Sequence, residues 1–163
     1  MIVHPVHPWV DAAHAPVYHL TYPSYDPNDP RQLAKYSAEH ASLYTTMATW
    51  TAVRTRAFGF TIDMSHVRSS AMTRQHAVQY LEESRQRGSP HMACRAFVTP
   101  NEGVRGVLTA VFWHSPPDFP HAFFETLEEA RRWAREHVLT LDLRESKASS
   151  EPKRIPRAHG NKK

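Results

Sequence analysis

The feature that most restricts how this chain folds is the alternation, through its middle, of short extended runs with longer stretches of helical period. Val17 to Tyr22 is β-branched and aromatic, and the proline- and Asp-rich segment Ser24 to Pro30 closes it with turn chemistry. Asp29 stands as an N-cap with Pro30 at the first helical position. Leu33, Tyr36, His40, Leu43, Tyr44 and Met47 then recur at helical spacing, predicting a helix to about Trp50. Val53 to Met64 reads as a strand ending at Asp63. Ser69 or Ser70 caps a second helix with Ala77, Tyr80 and Leu81 on its apolar side, and Gly88 stops it. Met92 to Thr99 has the apolar content of a buried strand, and Pro100 and Asn101 break it.

The segment Gly103 to Trp113 admits two readings. Val104, Val107, Leu108, Val111 and Phe112 fit a helical stripe, whereas Val107, Thr109, Val111 and Trp113 would line one face of a strand; the helix fits better. Within it, Gly103-Val104-Arg105-Gly106 is too sparse in glycine to cradle a phosphate and reads as a turn. His121 to Glu125 is a short strand. Thr126-Leu127-Glu128-Glu129 is a capping box, and Leu127, Ala130, Trp133, Ala134, His137, Val138 and Leu141 form a continuous apolar stripe behind it. Such alternation forces crossover connections. The expected fold is therefore α/β, with a mixed, mostly parallel sheet of about four strands and about four helices.

Charge and composition divide the chain. Seven of the twenty Lys and Arg and two of the sixteen Asp and Glu lie in 144–163, so that segment carries +5 and the other 143 residues −1. The high pI thus belongs to a tail and not to the domain, which argues against nucleic acid as the partner. The tail is nearly devoid of apolar residues and is expected to be disordered. Residues 1–16, rich in His, Pro and Ala, are expected to form an extended arm, leaving 17–143 as the domain. That N-terminus lacks the basic start and apolar stretch of a secretory signal, and no run is long enough to span a membrane. The single cysteine, Cys94, excludes an intrachain disulfide framework and fits a reducing, cytoplasmic compartment of bacterial type.

The strand Phe60-Thr61-Ile62-Asp63-Met64-Ser65 resembles the hydrophobic-Asp-hydrophobic-Ser strand of STAS domains, the family of sulfate transporters and anti-sigma factor antagonists. In that family the strand leads through a short loop into a helix, as His66 to Ser70 does here. Phe123-Phe124-Glu125-Thr126-Leu127-Glu128-Glu129-Ala130-Arg131-Arg132-Trp133 looks like the closing strand and helix of the related STAS/SEC14 and sporulation-antagonist-like group. The resemblance implies a small α/β protein-interaction or regulatory module without cofactor chemistry; the expected partner is a protein, or a second copy of this chain. Its sporulation-type members carry a phosphorylatable Ser in an Asp-Ser-x-Gly loop. Here Arg68-Ser69-Ser70-Ala71 stands near that place, with no Asp before the serines and no Gly after them.

Several residues are candidates for function on their own chemistry. A phosphate on Ser69 or Ser70 would sit at a helix N-terminus beside Arg68 and Arg74; the simpler use of either serine is the N-cap itself. Asp63 ends a central strand where open α/β sheets place functional groups, and His66 is the one neighbour with which it could catalyse a reaction; the plainer role for Asp63 is to cap the following turn. His4, His7, His14 and His19 are dense, but their spacing is interrupted by prolines and lacks zinc-site regularity. Cys94 reads as a core residue, with Arg95 on the opposite sheet face. Trp113 to Phe119 combines Trp, Phe and Pro in a short stretch suited to an interface, or to a loop folded over the core. Arg131, Arg132 and Arg135 are expected on a solvated face, paired with Glu128 and Glu136. An alternative function is a SEC14-like lipid or small-ligand carrier, and a third is an enzyme using Asp63 with His66.

Overall fold

The structure, a computed structural model, describes residues 4–68, 74, 75, 77, 78, 81, 82 and 89–150. In chain order it contains β1 (Val10–Asp11), β2 (Val17–Thr21), α1 (Pro30–Ala52), β3 (Phe58–Asp63), β4 (Met92–Val98), α2 (Glu102–His114), β5 (His121–Phe124) and α3 (Leu127–Ser150). The fold is α/β. Its five strands lie in the order β1-β2-β3-β4-β5; β1 runs antiparallel to β2, and every other pair is parallel.

Local chemistry explains most boundaries. Asp29 caps α1, its Oδ1 accepting from the amides of Arg31 and Gln32 at 2.9 and 3.4 Å, and Pro30 opens the helix. The strand expected from Val53 starts only at Phe58, because α1 continues past Trp50, which is buried, and is capped at Val53. Asn101 caps α2 through the amides of Gly103 and Val104 at 2.9 and 3.3 Å. The turn expected at Gly103 to Gly106 is thereby the opening of that helix. At α3 the amide of Glu129 donates to Thr126 Oγ1 at 3.4 Å, and the Thr126 hydroxyl donates to Glu129 Oε2 at 2.8 Å, so the capping box forms.

Because β2 to β5 are parallel and adjacent in sequence order, each crossover steps across the sheet in the same direction. Right-handed connections then place the crossover helices on one face. On that face Tyr18, Leu20, Phe58, Phe60, Ile62 and Phe97 meet α1 and α2 in an aromatic core, which Ala77 and Leu81, helical residues between β3 and β4, also join. The other face is built of small side chains: Ala93, Cys94, Ala96 and Val98 receive Ala130, Ala134 and Val138 of α3. A Cβ on Gly59 would lie 3.0 Å from Val138 Cγ2 and 3.1 Å from Cys94 Sγ, so helix and sheet approach as closely as glycine allows.

Two boundaries of the domain differ from the sequence expectation. Residues 4–16 are not a separate arm: β1 pairs with β2, and Trp9 is buried against Tyr22, Tyr36 and His40, its Nε1 donating to Glu39 at 2.9 Å. A buried indole with a satisfied N–H supplies the apolar area that outweighs the ordering entropy of this short segment. This segment also supplies the fifth strand. At the other end α3 runs on to Ser150, through residues expected in the tail, and the Glu145 carboxylate holds His91 at 2.8 Å. The expected second helix falls mostly outside the described residues, so three helices are delimited where about four were expected.

Candidate interaction surface

The helical reading of Gly103 to Trp113 decides where Trp113 points. Val104, Leu108, Val111 and Phe112 face the sheet and are buried, which turns Gly106, Thr109, Ala110 and Trp113 outward along one stripe. Trp113 is 87% exposed. It stands at the end of a shallow groove whose floor is Gly106, Thr109 and Ala110 and whose far end is Glu102 and Arg105. A Cβ on Gly106 would meet nothing within 4 Å. This glycine therefore weakens the helix without any packing need inside the domain, and leaves the backbone approachable from outside.

Phe119 does not share that surface. It is 5% exposed, and the Arg95 guanidinium carbon lies 4.2 Å above its ring centroid. The proline-rich loop after α2 thus folds back over the aromatic core, because a Phe can be buried there at no cost in backbone pairing: the Pro120 carbonyl accepts from the Arg95 amide at 2.9 Å. Arg95 and Cys94 point to opposite faces, as strand alternation requires. Cys94 is fully buried, its Sγ 3.7 Å from the Ala134 carbonyl oxygen, and burial pushes its thiol up to about 12.

Asp63 lies at the carboxyl end of β3, half-buried, and its Oδ1 accepts from the Ser65 amide at 2.8 Å and the Ser65 hydroxyl at 2.5 Å. It caps the turn. His66 is exposed, and among the described residues no hydrogen bond or ion pair joins it to Asp63. Ser69 and Ser70 lie outside the described residues. Asp63, Trp113 and Phe119 consequently do not form one site: Trp113 is on the α2 side of the sheet, Phe119 is inside, and Asp63 belongs to the α3 side.

The imidazole that registers the charge of Asp63 is His19. The β2–β3 register sets His19 beside Thr61 and Thr21 beside Asp63, all on the face shared with α3. Thr61, fully buried, donates to the Tyr18 carbonyl at 3.5 Å, so its oxygen accepts from His19 Nδ1 at 3.0 Å, and Nε2 accepts from the Thr21 hydroxyl at 3.1 Å. Burial holds this imidazole below its ordinary pKa; Arg131 adds to the effect, and Asp63 and Asp11 oppose it. It is a neutral, doubly hydrogen-bonded group spanning two strands. In the sequence His19 stands with the N-terminal histidines; only the strand register brings it to the face that carries Asp63.

Of the other histidines of that group, His4 and His7 make ring contacts and hydrogen bonds, while His14 is exposed. His7 is buried, its Nε2 3.0 Å from Ser42 Oγ, and His4 Nδ1 lies 3.2 Å from the Tyr18 hydroxyl. Among the described residues no three His, Cys, Asp or Glu side chains converge as metal ligands, and no helix is long and apolar enough to cross a membrane. Comparison with family models, with curated proteins and with solved structures found no match for this chain.

Proposed function

We propose that this chain is a non-enzymatic regulatory module of STAS-like type, acting in the cytoplasm by binding a protein partner through the outer face of α2. One observation carries the reading: a tryptophan 87% exposed on a rigid helix, next to an outward glycine that the fold itself does not use. An aromatic anchor beside a flat helical floor suits a helix of the partner, whose backbone can approach closely over Gly106 and Ala110. The family part of this reading rests on the resemblance of the segments Phe60 to Ser65 and Phe123 to Trp133. Asp63 capping its own turn supports a binding role over catalysis with His66.

A lipid-carrying role gains nothing from the interior. The space between the sheet and α1 holds the interlocked rings of Tyr18, Trp50, Phe58 and Phe60, with centroids 4.6 to 6.0 Å apart.

The test is site-specific photocrosslinking from Thr109 in living cells, followed by identification of the adduct. Trp113→Ala should remove the adduct and weaken the purified complex by at least about thirtyfold, the effect of a hot-spot tryptophan worth roughly 2 kcal/mol. Folding stability should change by less than about 0.5 kcal/mol, as for other exposed positions. Sedimentation distinguishes a second copy of the chain from a different protein. An adduct that survives Trp113→Ala unchanged would refute this assignment of the surface.

A further inference from the structure

On the opposite side of the sheet from α2, the outward flank of α3 forms a groove of about 740 Å³ lined by Arg131, Arg132 and Arg135, by Glu128 and Glu136, and by Leu127 and Leu139. The arginines are not engaged as the sequence suggests. Glu128 precedes Arg132 by four residues and Glu136 follows it by four, yet among the described residues no carboxylate lies within 4.0 Å of Arg131, Arg132 or Arg135. Arg132 and Arg135, both exposed, thus keep their hydrogen-bonding forks directed at the surroundings, whereas Arg131 is half-buried, with its Nε buried and without a hydrogen-bond partner among the described residues. Arg131 also reaches far enough across the sheet to act on the charge of His19.

Beyond the arginines the same helix exposes two leucines one turn apart. Leu139 and Leu143 are each 63% exposed, in a helix whose opposite side is already filled by Ala130, Ala134 and Val138 against the sheet. A helix that has met its packing needs and still shows a cationic turn followed by an apolar turn has the pattern of a docking face for a complementary amphipathic segment.

We propose that this flank of α3 docks an acidic, leucine-bearing helical segment of a protein partner, its carboxylates on Arg131, Arg132 and Arg135 and its apolar residues on Leu139 and Leu143. Charge complementarity selects that occupant. The chain's own C-terminal segment, with Lys153, Arg154, Arg157, Lys162 and Lys163, carries the same sign as the arginines and is repelled. A continuous phosphate backbone or an anionic bilayer would be set against Glu128 and Glu136, whereas an amphipathic peptide can place its few carboxylates between them. The surface is separate from Trp113, so a domain using both could bridge two partners.

The experiment measures binding of a fluorescent helix-forming peptide of Glu, Leu and Ala to the full chain by anisotropy. Its controls are a peptide of the same composition with scrambled Leu positions, single-stranded DNA, and vesicles containing an anionic phospholipid. The amphipathic peptide should bind, more tightly than its scrambled form, and binding should weaken several-fold as salt rises from about 0.05 to 0.3 M. The double variant Arg132→Glu/Arg135→Glu should weaken it by about tenfold or more, with the helical circular dichroism unchanged. Leu139→Lys, which leaves every arginine in place, should also weaken it, and Trp113→Ala should have no effect. Binding that survives charge reversal would place the peptide on the basic tail and overturn the proposal. Equal binding of the scrambled peptide, or stronger arginine-dependent binding of DNA or vesicles, would overturn it as well.

Discussion

His19 shows how a residue with no motif around it becomes electrostatically distinctive. Its neutral form is held between two threonine hydroxyls, and burial and Arg131 together outweigh Asp63 and Asp11 in setting its affinity for protons. The unfolded chain takes up a proton near the ordinary value of 6.5, and the folded chain only at lower pH. Between those two values the unfolded state binds more protons, so this residue lowers stability as pH falls below 6.5 and has no such effect above it. Denaturant midpoints measured from about pH 7.5 down to about pH 5 should therefore fall less steeply for His19→Gln than for the parent chain. Equal slopes would show that the network does not disfavour the imidazolium. Residues of this kind also mark the limit of sequence reading. Asp63 as a turn cap and Cys94 as a core residue were legible from their neighbours in the chain, while His19 acquired its partners from another strand.

At the scale of elements, two glycines with the same chemistry predict opposite outcomes. Gly59 sits in β3 under α3, and Gly59→Ala would force a methyl to 3.0 Å from Val138 and 3.1 Å from Cys94. Overpacking of that sort costs about 1–3 kcal/mol and outweighs the ~0.4–1 kcal/mol gained by restricting the unfolded chain, so the variant should be destabilised. Gly106 lies in the interior of α2 with open space around it, and Gly106→Ala should stabilise the fold by about 0.5–1 kcal/mol. Thermal or denaturant unfolding of the two variants side by side checks the pair; a shift of the same sign in both would contradict the packing described for α3. Helix and strand identities came from periodicity and caps. The closeness of α3 to the sheet did not, because it depends on which small residues of β3 and β4 line up beneath Ala130, Ala134 and Val138.

For the whole molecule, the question is where the domain begins. A histidine- and proline-rich start reads as an arm, since prolines remove amide donors and the segment has no periodicity. Trp9 reverses that reading by entering the aromatic cluster of Tyr22, Tyr36 and His40. Trp9→Ala should lower global stability by about 3–5 kcal/mol, the loss expected for a large buried aromatic, and should do so in a single cooperative transition. If the midpoint did not move, residues 4–16 would be an appendage after all.

Alternating periods of two and three to four, together with Asp29 and Thr126 as caps, were enough to specify an α/β chain with helices opening near 30 and 127, and to favour a helix over a strand at 103–113; the Asn101 cap and the run of the last helix through 144–150 were not legible there. These are local properties, set by backbone hydrogen bonding and by side chains a few positions apart. Which face each helix covers, the pairing of His19 with Thr61, the burial of Phe119 beneath Arg95 and the capture of Trp9 by α1 all join residues far apart in the chain. They depend on strand register and on the shape of the filled core, which exist only once the sheet has assembled.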